Sequence, residues 1–196
     1  MLAREAIRKT MAMNNISGDR SEDENYANTY TEDGILESRI SRDTPAHVIE
    51  SRAAILEWKS GRSRGAMDNP DQREKPAFVR HNLTTSRIEL TGPDTASCRS
   101  YFQVNTQIGP DHCGVYVDRF RKVDDDWLIA HRKVLVDWFA PNSMFGGGAD
   151  LPDHRSGALT SLRQLPYSHG GAPIDVLDKD ADPVDPDLAQ THGSTR

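Results

Sequence analysis

Apolar side chains recur at helical spacing along the first sixty residues, and they predict three helices. The first helix covers residues 2–18 and ends at Gly18. Ser21, with Glu24 three residues later, forms a capping box that opens a second helix, and Ser51 caps a third. The buried side of the second helix is predicted to carry Tyr26, Ala27 and Tyr30, and that of the third Ala54, Ile55 and Trp58.

From residue 78 onward, apolar and polar residues alternate as they do in β-strands. We predict four long strands at residues 78–90, 95–108, 113–123 and 127–139, and two short ones at 35–37 and 47–49. Turns at 91–94, 109–111 and 124–126 separate the long strands, and turns this short require antiparallel neighbours. The polar stretch at 61–76 shows no period and is predicted to be a loop. The expected fold is α+β, a cone in which three N-terminal helices pack on a curved antiparallel sheet.

The composition changes sharply after residue 140. Residues 141–196 hold six of the eleven prolines, seven of the fourteen glycines and no long periodic segment. Such a composition disfavours a packed core and favours an extended chain. We therefore predict one folded domain over residues 1–140 and a C-terminal arm over residues 141–196, partly packed and partly flexible.

Charge, cysteine content and missing motifs argue against several classes of function. The net charge of −6 is unsuited to nucleic-acid binding, which needs a clustered basic face. The two cysteines form no CxxC pair, and no apolar run is long enough to span a membrane. No Walker loop, G-x-G-x-x-G, HExxH or two-histidine-one-carboxylate spacing occurs. We expect a cytoplasmic protein with no nucleic-acid or membrane partner, no metal site and no cofactor.

Three segments carry a resemblance to a known family. They are Arg80-His81 in the first long strand, residues 114–120 (Gly-Val-Tyr-Val-Asp-Arg-Phe) in the third, and residues 127–132 (Trp-Leu-Ile-Ala-His-Arg) in the last. In this order, the chain from about residue 2 to about residue 141 resembles the SnoaL-like branch of the NTF2-like superfamily. Its members include scytalone dehydratase, bile-acid dehydratase, lindane dehydrochlorinase, ketosteroid isomerase, polyketide cyclases, a lyase that deformylates diarylpropanes, and binding modules without catalysis.

The resemblance implies a catalytic pair. In the dehydratase and dehydrochlorinase members, an Asp after the first helix orients a His on the first long strand, and Asp19 and His81 match those places. A carboxylate beside an imidazole fixes its tautomer and stabilises the protonated ring. In non-catalytic roles, His81 would satisfy a backbone group and Asp19 would cap the second helix. Asn14 stands where a Tyr is common, which removes a phenolic acid but keeps a hydrogen-bond donor for a substrate oxygen.

Strand alternation defines two faces of the sheet but does not say which face lines the pocket. Asp118 is either a second pocket acid or the cross-strand partner of an arginine, namely Arg99, Arg119 or Arg132. His131 and Arg132 lie on opposite faces, so at most one of them enters the pocket. Tyr101 contacts substrate if it faces inward and a partner subunit if it faces outward. The predicted substrate-binding residues are Asn14, Tyr30, Trp58, Tyr101, Tyr116, Asp118 and Arg132, whose aromatic members suit a ring-bearing substrate.

Taken together, these features predict a cofactor-independent lyase. His81 would abstract a proton from an apolar aromatic or polycyclic substrate, Asp19 would orient His81, and water, halide or a small aldehyde such as formaldehyde would leave. The alternatives are an isomerase or cyclase with the same base, and a non-catalytic module for ligand binding or assembly. By analogy with the family, we expect a homo-oligomer, a dimer or a trimer, that covers the open face of the sheet.

Overall fold

The structure is a computed structural model that describes residues 2–39, 45–64, 76–140 and 143–144. The chain divides into two units, Met1–Ala149 and Asp150–Arg196, and every described residue belongs to the first unit. The predicted arm over residues 141–196 therefore lies outside the described residues, except for Ser143 and Met144. Residues 65–75 of the predicted loop also lie outside them.

The described residues form three helices and six strands. As predicted, the three helices and two of the strands come before the four long strands. The elements are α1 (Leu2–Arg20), α2 (Asp23–Ala27), β1 (Tyr30–Arg39), β2 (His47–Glu50), α3 (Arg52–Arg64), β3 (Arg80–Leu90), β4 (Thr95–Thr106), β5 (Gly109–Val123) and β6 (Asp126–Phe139). The strands form one sheet in the order β2-β1-β6-β5-β4-β3.

The α+β class and the curved sheet with N-terminal helices are confirmed, with one correction to the strand directions. Strands β3 to β6 form consecutive antiparallel pairs, as their short turns predict. In contrast, β1 pairs with β6 in parallel. Because β1 and β6 are far apart in the chain, no turn in the sequence predicts that they pair.

The junction between α1 and α2 differs from the prediction. Helix α1 continues past Gly18, so Asp19 lies in its last turn and not in a gap between helices. Ser21 adopts a positive φ of 56°, and it does not cap α2, whose N-cap residue is Glu22. Helix α2 has only five residues, and Tyr30, predicted on its buried side, is instead the first residue of β1.

The cap of α3 is as predicted. The backbone N–H of Ala54 donates to Ser51 Oγ at 3.2 Å, which satisfies one of the open amides at the start of the helix. Trp58 and the buried Ile55 follow in α3, where they face the sheet together with Ile7 and Met11 of α1. The helices thus cover one face of the sheet, and the site lies between these layers.

Even-numbered residues of β4, and of β5 from His112 to Phe120, point toward the helices. In β4, buried residues alternate with less buried ones from Ala96 to Thr106. The odd-numbered Tyr101 is 38% exposed and so lies on the outward face.

A β-bulge near the start of β5 turns two consecutive side chains inward. Val104 pairs with His112 and Asn105 pairs with Pro110, so Asp111 is an extra residue opposite β4. Asp111 and His112 are therefore both buried, although neighbours in a regular strand point to opposite faces.

The hairpin between β4 and β5 turns two residues earlier than predicted. Thr106 pairs with Gly109, which leaves residues 107–108 as the turn and places residues 109–111 inside β5. Gly109 has a φ of 91°, a conformation that favours glycine. The Gly-Pro-Asp triplet therefore marks the first residues after the turn and not the turn itself.

Candidate active site

A cavity of about 630 Å³ lies between the inward face of the sheet and helices α1 and α3. Its polar side chains are amides, imidazoles, hydroxyls and basic groups, and none of its described lining residues is an Asp or a Glu. Its apolar wall consists chiefly of Tyr26, Trp58, Phe102, Tyr116, Val134 and Val136.

His81, the second residue of β3, is held in the cavity wall by Asp19 at the end of α1. The ring Nδ1 of His81 lies 2.5 Å from Asp19 Oδ1, and the backbone N–H of His81 donates to Asp19 Oδ2 at 3.0 Å. Only 8% of the Asp19 side chain is exposed, against 27% for His81. Because both carboxylate oxygens are engaged, Nδ1 is fixed toward Asp19. Nε2 is then the ring nitrogen that Asp19 does not hold.

Arg132 places a buried positive charge in the cavity wall, and Asp118 balances it from the facing position of β5. Nε and Nη2 of Arg132 donate to the two carboxylate oxygens of Asp118 at 2.8 and 2.7 Å. Burial acts to lower the pKa of Arg132, but attraction to Asp118 outweighs it and raises that pKa well above its ordinary value. Arg132 therefore stays charged.

Asn14 and Tyr116 hold the other sides of this guanidinium. Nη1 of Arg132 donates to Asn14 Oδ1 at 2.6 Å, and Asn14 Nδ2 donates to Thr29 Oγ1 at 2.8 Å. The guanidinium carbon lies 4.3 Å from the centroid of the Tyr116 ring. Asn14 lines the cavity, and with both its amide atoms engaged it positions Arg132.

Tyr116 and Phe102 form a stacked aromatic surface in the cavity. Their ring centroids are 4.3 Å apart with an angle of 17° between the planes. Burial raises the pKa of Tyr116 above its ordinary value, so its phenol remains a hydrogen-bond donor at neutral pH. Trp58 of α3 also lines the cavity, which thus offers flat apolar surfaces suited to ring-bearing ligands.

His47 and His112 also line the cavity, so its wall holds three histidines with His81, and the sequence analysis predicts neither of these two as a site residue. His112 is the one that lies beside His81. Its Nδ1 lies 2.8 Å from Asp111 Oδ1, and its ring meets that of His81 edge to face, with the centroids 6.2 Å apart. The available signal was the Asp-His dipeptide after Gly-Pro. The sequence places Asp111 in a predicted turn and His112 just before the predicted strand, and alternation in a regular strand would put the two side chains on opposite faces.

The structure brings most of the predicted site residues together. Asn14, Trp58, His81, Tyr116 and Arg132 line the cavity, and Asp19 contacts His81. The prediction that at most one of His131 and Arg132 enters the pocket is confirmed, since His131 lies 3.3 Å from Glu37 and does not line it.

Three predicted substrate contacts do not line the cavity. Tyr30 is fully buried in the core, with its hydroxyl 3.3 Å from that of Tyr26. Tyr101 lies on the outward face of the sheet, so the prediction that it contacts the substrate is wrong. Asp118 is fully buried in its pair with Arg132, so the cross-strand alternative is the correct one.

Three further properties concern metal binding, the cysteines and membrane spans. Over the described ranges, no cluster of three or more His, Cys, Asp or Glu side chains is placed to hold a metal ion. Cys98 and Cys113 are free thiols, and burial raises the pKa of Cys98 to about 11. None of the described helices combines the length and the apolar character that crossing a membrane requires.

The helices, the curved six-stranded sheet and the cavity between them define an NTF2-like fold. The chain belongs to the SnoaL-like domain family, whose family model matches residues 1–133, and the resemblance seen in the sequence is thereby confirmed. No curated protein matches the chain.

Solved structures share this fold at low sequence identity. Rv3472 of Mycobacterium tuberculosis, a protein of unknown function, is 25% identical, with 84% of this chain and 90% of that one covered and a TM-score of 0.56. A candidate scytalone dehydratase from Novosphingobium aromaticivorans is 19% identical, with 70% and 85% covered and a TM-score of 0.55. LinA is 14% identical, with 76% and 92% covered and a TM-score of 0.56. Likeness at this level concerns the fold.

Proposed function

We propose that this protein is a cofactor-independent lyase in which His81 is the base. The observation that carries the proposal is the contact of 2.5 Å between His81 Nδ1 and Asp19 Oδ1 in the wall of an apolar cavity. Asp19 keeps Nε2 as the basic nitrogen and stabilises the imidazolium once Nε2 has taken a proton.

Arg132 supplies the electrostatic part of the proposed reaction. Removal of a proton from carbon leaves negative charge on the substrate, and a carbonyl next to that carbon takes up this charge on its oxygen. A cation already fixed by Asp118 and Asn14 stabilises that charge without reorganising during the reaction. Asn14 thereby acts through Arg132, and Tyr116 offers its phenol as a further donor in the cavity.

The walls of the cavity favour an aromatic or polycyclic substrate. A volume of about 630 Å³ lies within the range of about 300–1,000 Å³ that small-molecule sites occupy. The aromatic residues of the wall provide flat surfaces for rings. The shared fold of LinA and of the candidate scytalone dehydratase supports a lyase that eliminates water, halide or a small aldehyde, in the catabolism of aromatic compounds.

A screen of hydroxylated and halogenated aromatic compounds tests this proposal, with mass spectrometry of what is lost and His81→Gln as the matched control. We expect the wild type to release water, halide or an aldehyde from at least one compound, and His81→Gln to release none above background. Conversion without a change of mass would instead identify an isomerase or a cyclase. Binding without conversion would identify a ligand-binding module.

We further propose that the protein is a cytoplasmic homo-oligomer, a dimer or a trimer, that buries the outward face of the sheet. Tyr101 on that face is 38% exposed, and free thiols accord with a reducing compartment. Light scattering of the full chain tests the oligomeric state. We expect Tyr101→Glu to shift the mass toward the monomer, and a monomeric wild type would contradict the proposal.

A further inference from the structure

We propose that Asn15 binds a hydroxyl group of the substrate and thereby selects hydroxylated aromatic compounds. This inference rests on the proposed function for the place of the ligand, since the aromatic substrate is taken to occupy the cavity beside His81. It concerns the recognition of the substrate and not the transfer of a proton. A binding measurement therefore tests it separately from turnover.

The side chain of Asn15 is a buried amide in the cavity wall. Asn15 lines the cavity and is only 8% exposed. Its neighbour Asn14 uses both amide atoms within the protein, on Arg132 and on Thr29. In contrast, none of the residues that the structure describes is placed to form a hydrogen bond with the amide of Asn15. Because an unsatisfied buried amide destabilises the folded protein, its position in the cavity wall indicates a partner supplied by a ligand.

Asn15 belongs to a row of side chains on one face of α1, spaced four residues apart. Ile7 and Met11 begin the row and pack in the hydrophobic core, and Asp19 ends it in contact with His81. A residue that only filled space would be apolar, like the two residues before it in the row. The change to a polar side chain at Asn15 therefore marks where the core ends and the cavity begins.

The contacts of the neighbouring members of this row show which part of the cavity Asn15 faces. Met11 Sδ lies 3.9 Å from Cys98 Sγ in β4, and Asp19 contacts His81 in β3. Four residues span about 6 Å along a helix axis, so Asn15 lies about one turn from Asp19. A substrate group bound by Asn15 is therefore close to the carbon that loses its proton to His81.

The chemistry of the amide favours a hydroxyl as the bound group. An amide presents an acceptor oxygen and two donor hydrogens, and a hydroxyl both donates and accepts. An ether oxygen only accepts, and an alkyl group does neither. The stacked rings of Phe102 and Tyr116 provide the flat apolar surface for the ring that carries this hydroxyl. The cavity thus suits a hydroxylated ring better than one with an ether or alkyl group in the same place.

Three naphthalene derivatives of similar size test the assignment of Asn15. The hydroxyl of 2-naphthol donates and accepts, 2-methoxynaphthalene only accepts, and 2-methylnaphthalene does neither. Equilibrium dialysis against the full chain gives the Kd of each compound. We expect Asn15→Leu, which keeps the approximate size but removes the polar atoms, to raise the Kd of 2-naphthol by about 3-fold to 10-fold, the effect of one lost hydrogen bond. The Kd of 2-methoxynaphthalene should rise less, and that of 2-methylnaphthalene should not rise.

Asn25→Leu is the matched control, since it makes the same change at an exposed residue of α2 outside the cavity. It should leave all three Kd values within about twofold of the wild type. Urea unfolding separates binding from a structural role. We expect the midpoint of Asn15→Leu to be no lower than that of the wild type, because an amide without a partner is replaced by an apolar side chain. If Asn15→Leu does not fold as judged by circular dichroism, Asn15→Ala is used, with the same selective effect on 2-naphthol expected.

The outcomes distinguish this inference from the proposed function. Equal changes in Kd for the three probes, no change for any of them, or a wild type that binds none would overturn the role of Asn15 and leave His81 as the proposed base. A selective loss of 2-naphthol binding, in a protein that converts no compound of the screen, would support the role of Asn15 and overturn the lyase.

Discussion

Asp118 and Arg132 join β5 to β6 through a pair of hydrogen bonds that water does not reach. Their side chains are 0% and 2% exposed. We expect Asp118→Ala to lower the free energy of unfolding by about 3–5 kcal/mol, because it leaves Arg132 as an uncompensated buried charge. Urea unfolding followed by circular dichroism measures this loss.

The pair of Asp33 and Arg121 provides the control at the surface. The hydrogen bond from Arg121 lowers the pKa of Asp33 to about 2, yet 68% of the Asp33 side chain is exposed. Exposed pairs contribute about 0.2–1 kcal/mol, so Asp33→Ala should have a correspondingly small effect. Equal losses in the two variants would contradict the importance of burial at Asp118.

Single residues of the site were predictable to the extent that a linear pattern encodes them. The resemblance pointed to His81 and Asp19, and the structure places them in contact. The predicted substrate contact of Tyr101 was wrong, because alternation does not reveal which face of a strand is inward. The place of His112 in the cavity was not predictable, because the extra residue Asp111 interrupts the alternation of β5 just before it. No local sequence pattern marks this bulge.

Gly114 allows β5 and β6 to approach each other closely next to a second irregularity of register. A Cβ atom at this position would lie 2.0 Å from the backbone oxygen of Leu135 and 3.0 Å from the Phe102 ring. We expect Gly114→Ala to lower the free energy of unfolding by about 1–3 kcal/mol, the usual range for overpacking, since the obstructing atom is backbone. Urea unfolding checks the value.

Gly61→Ala is the matched control for Gly114→Ala. Gly61 lies in α3, and a Cβ there would have no heavy atom within 4 Å. Alanine is favoured over glycine inside a helix by about 0.5–1 kcal/mol, so this variant should be as stable as the wild type or more stable. A similar loss in both variants would contradict the proposed role of the space around Gly114.

Helices and strands were predictable where the periodic segments are long, whereas the residues at which they begin and end were not. Alternation from Phe78 onward predicted all four long strands. The end of α1 was misplaced because glycine often ends a helix, whereas here the chain turns at Ser21 with its positive φ. Tyr30 was assigned to a helix on spacing alone, yet it pairs with Ile129 of β6, a partner far away in sequence.

Asp111 couples the stability of the folded chain to pH. Burial acts to raise the pKa of Asp111, but hydrogen bonds from Ser143 and His112 outweigh it and hold that pKa below its ordinary value. This carboxylate therefore contributes stability at neutral pH that is lost as pH falls through the folded pKa. We expect Asp111→Asn to be less stable than the wild type at about pH 6, and the difference to shrink toward about pH 3. Urea unfolding at both pH values measures it. A constant difference would show that the Asp111 charge contributes nothing.

The proposed reaction depends above all on His81, and its removal is the decisive experiment. On a compound that the wild type converts, we predict that His81→Ala lowers turnover by at least about 10²-fold, because proton-transfer groups supply about 10²-fold to 10⁴-fold. His131→Ala and the circular dichroism spectrum of each variant control for folding. Turnover by a folded His81→Ala variant within about tenfold of the wild type would contradict the assignment of His81 as the base.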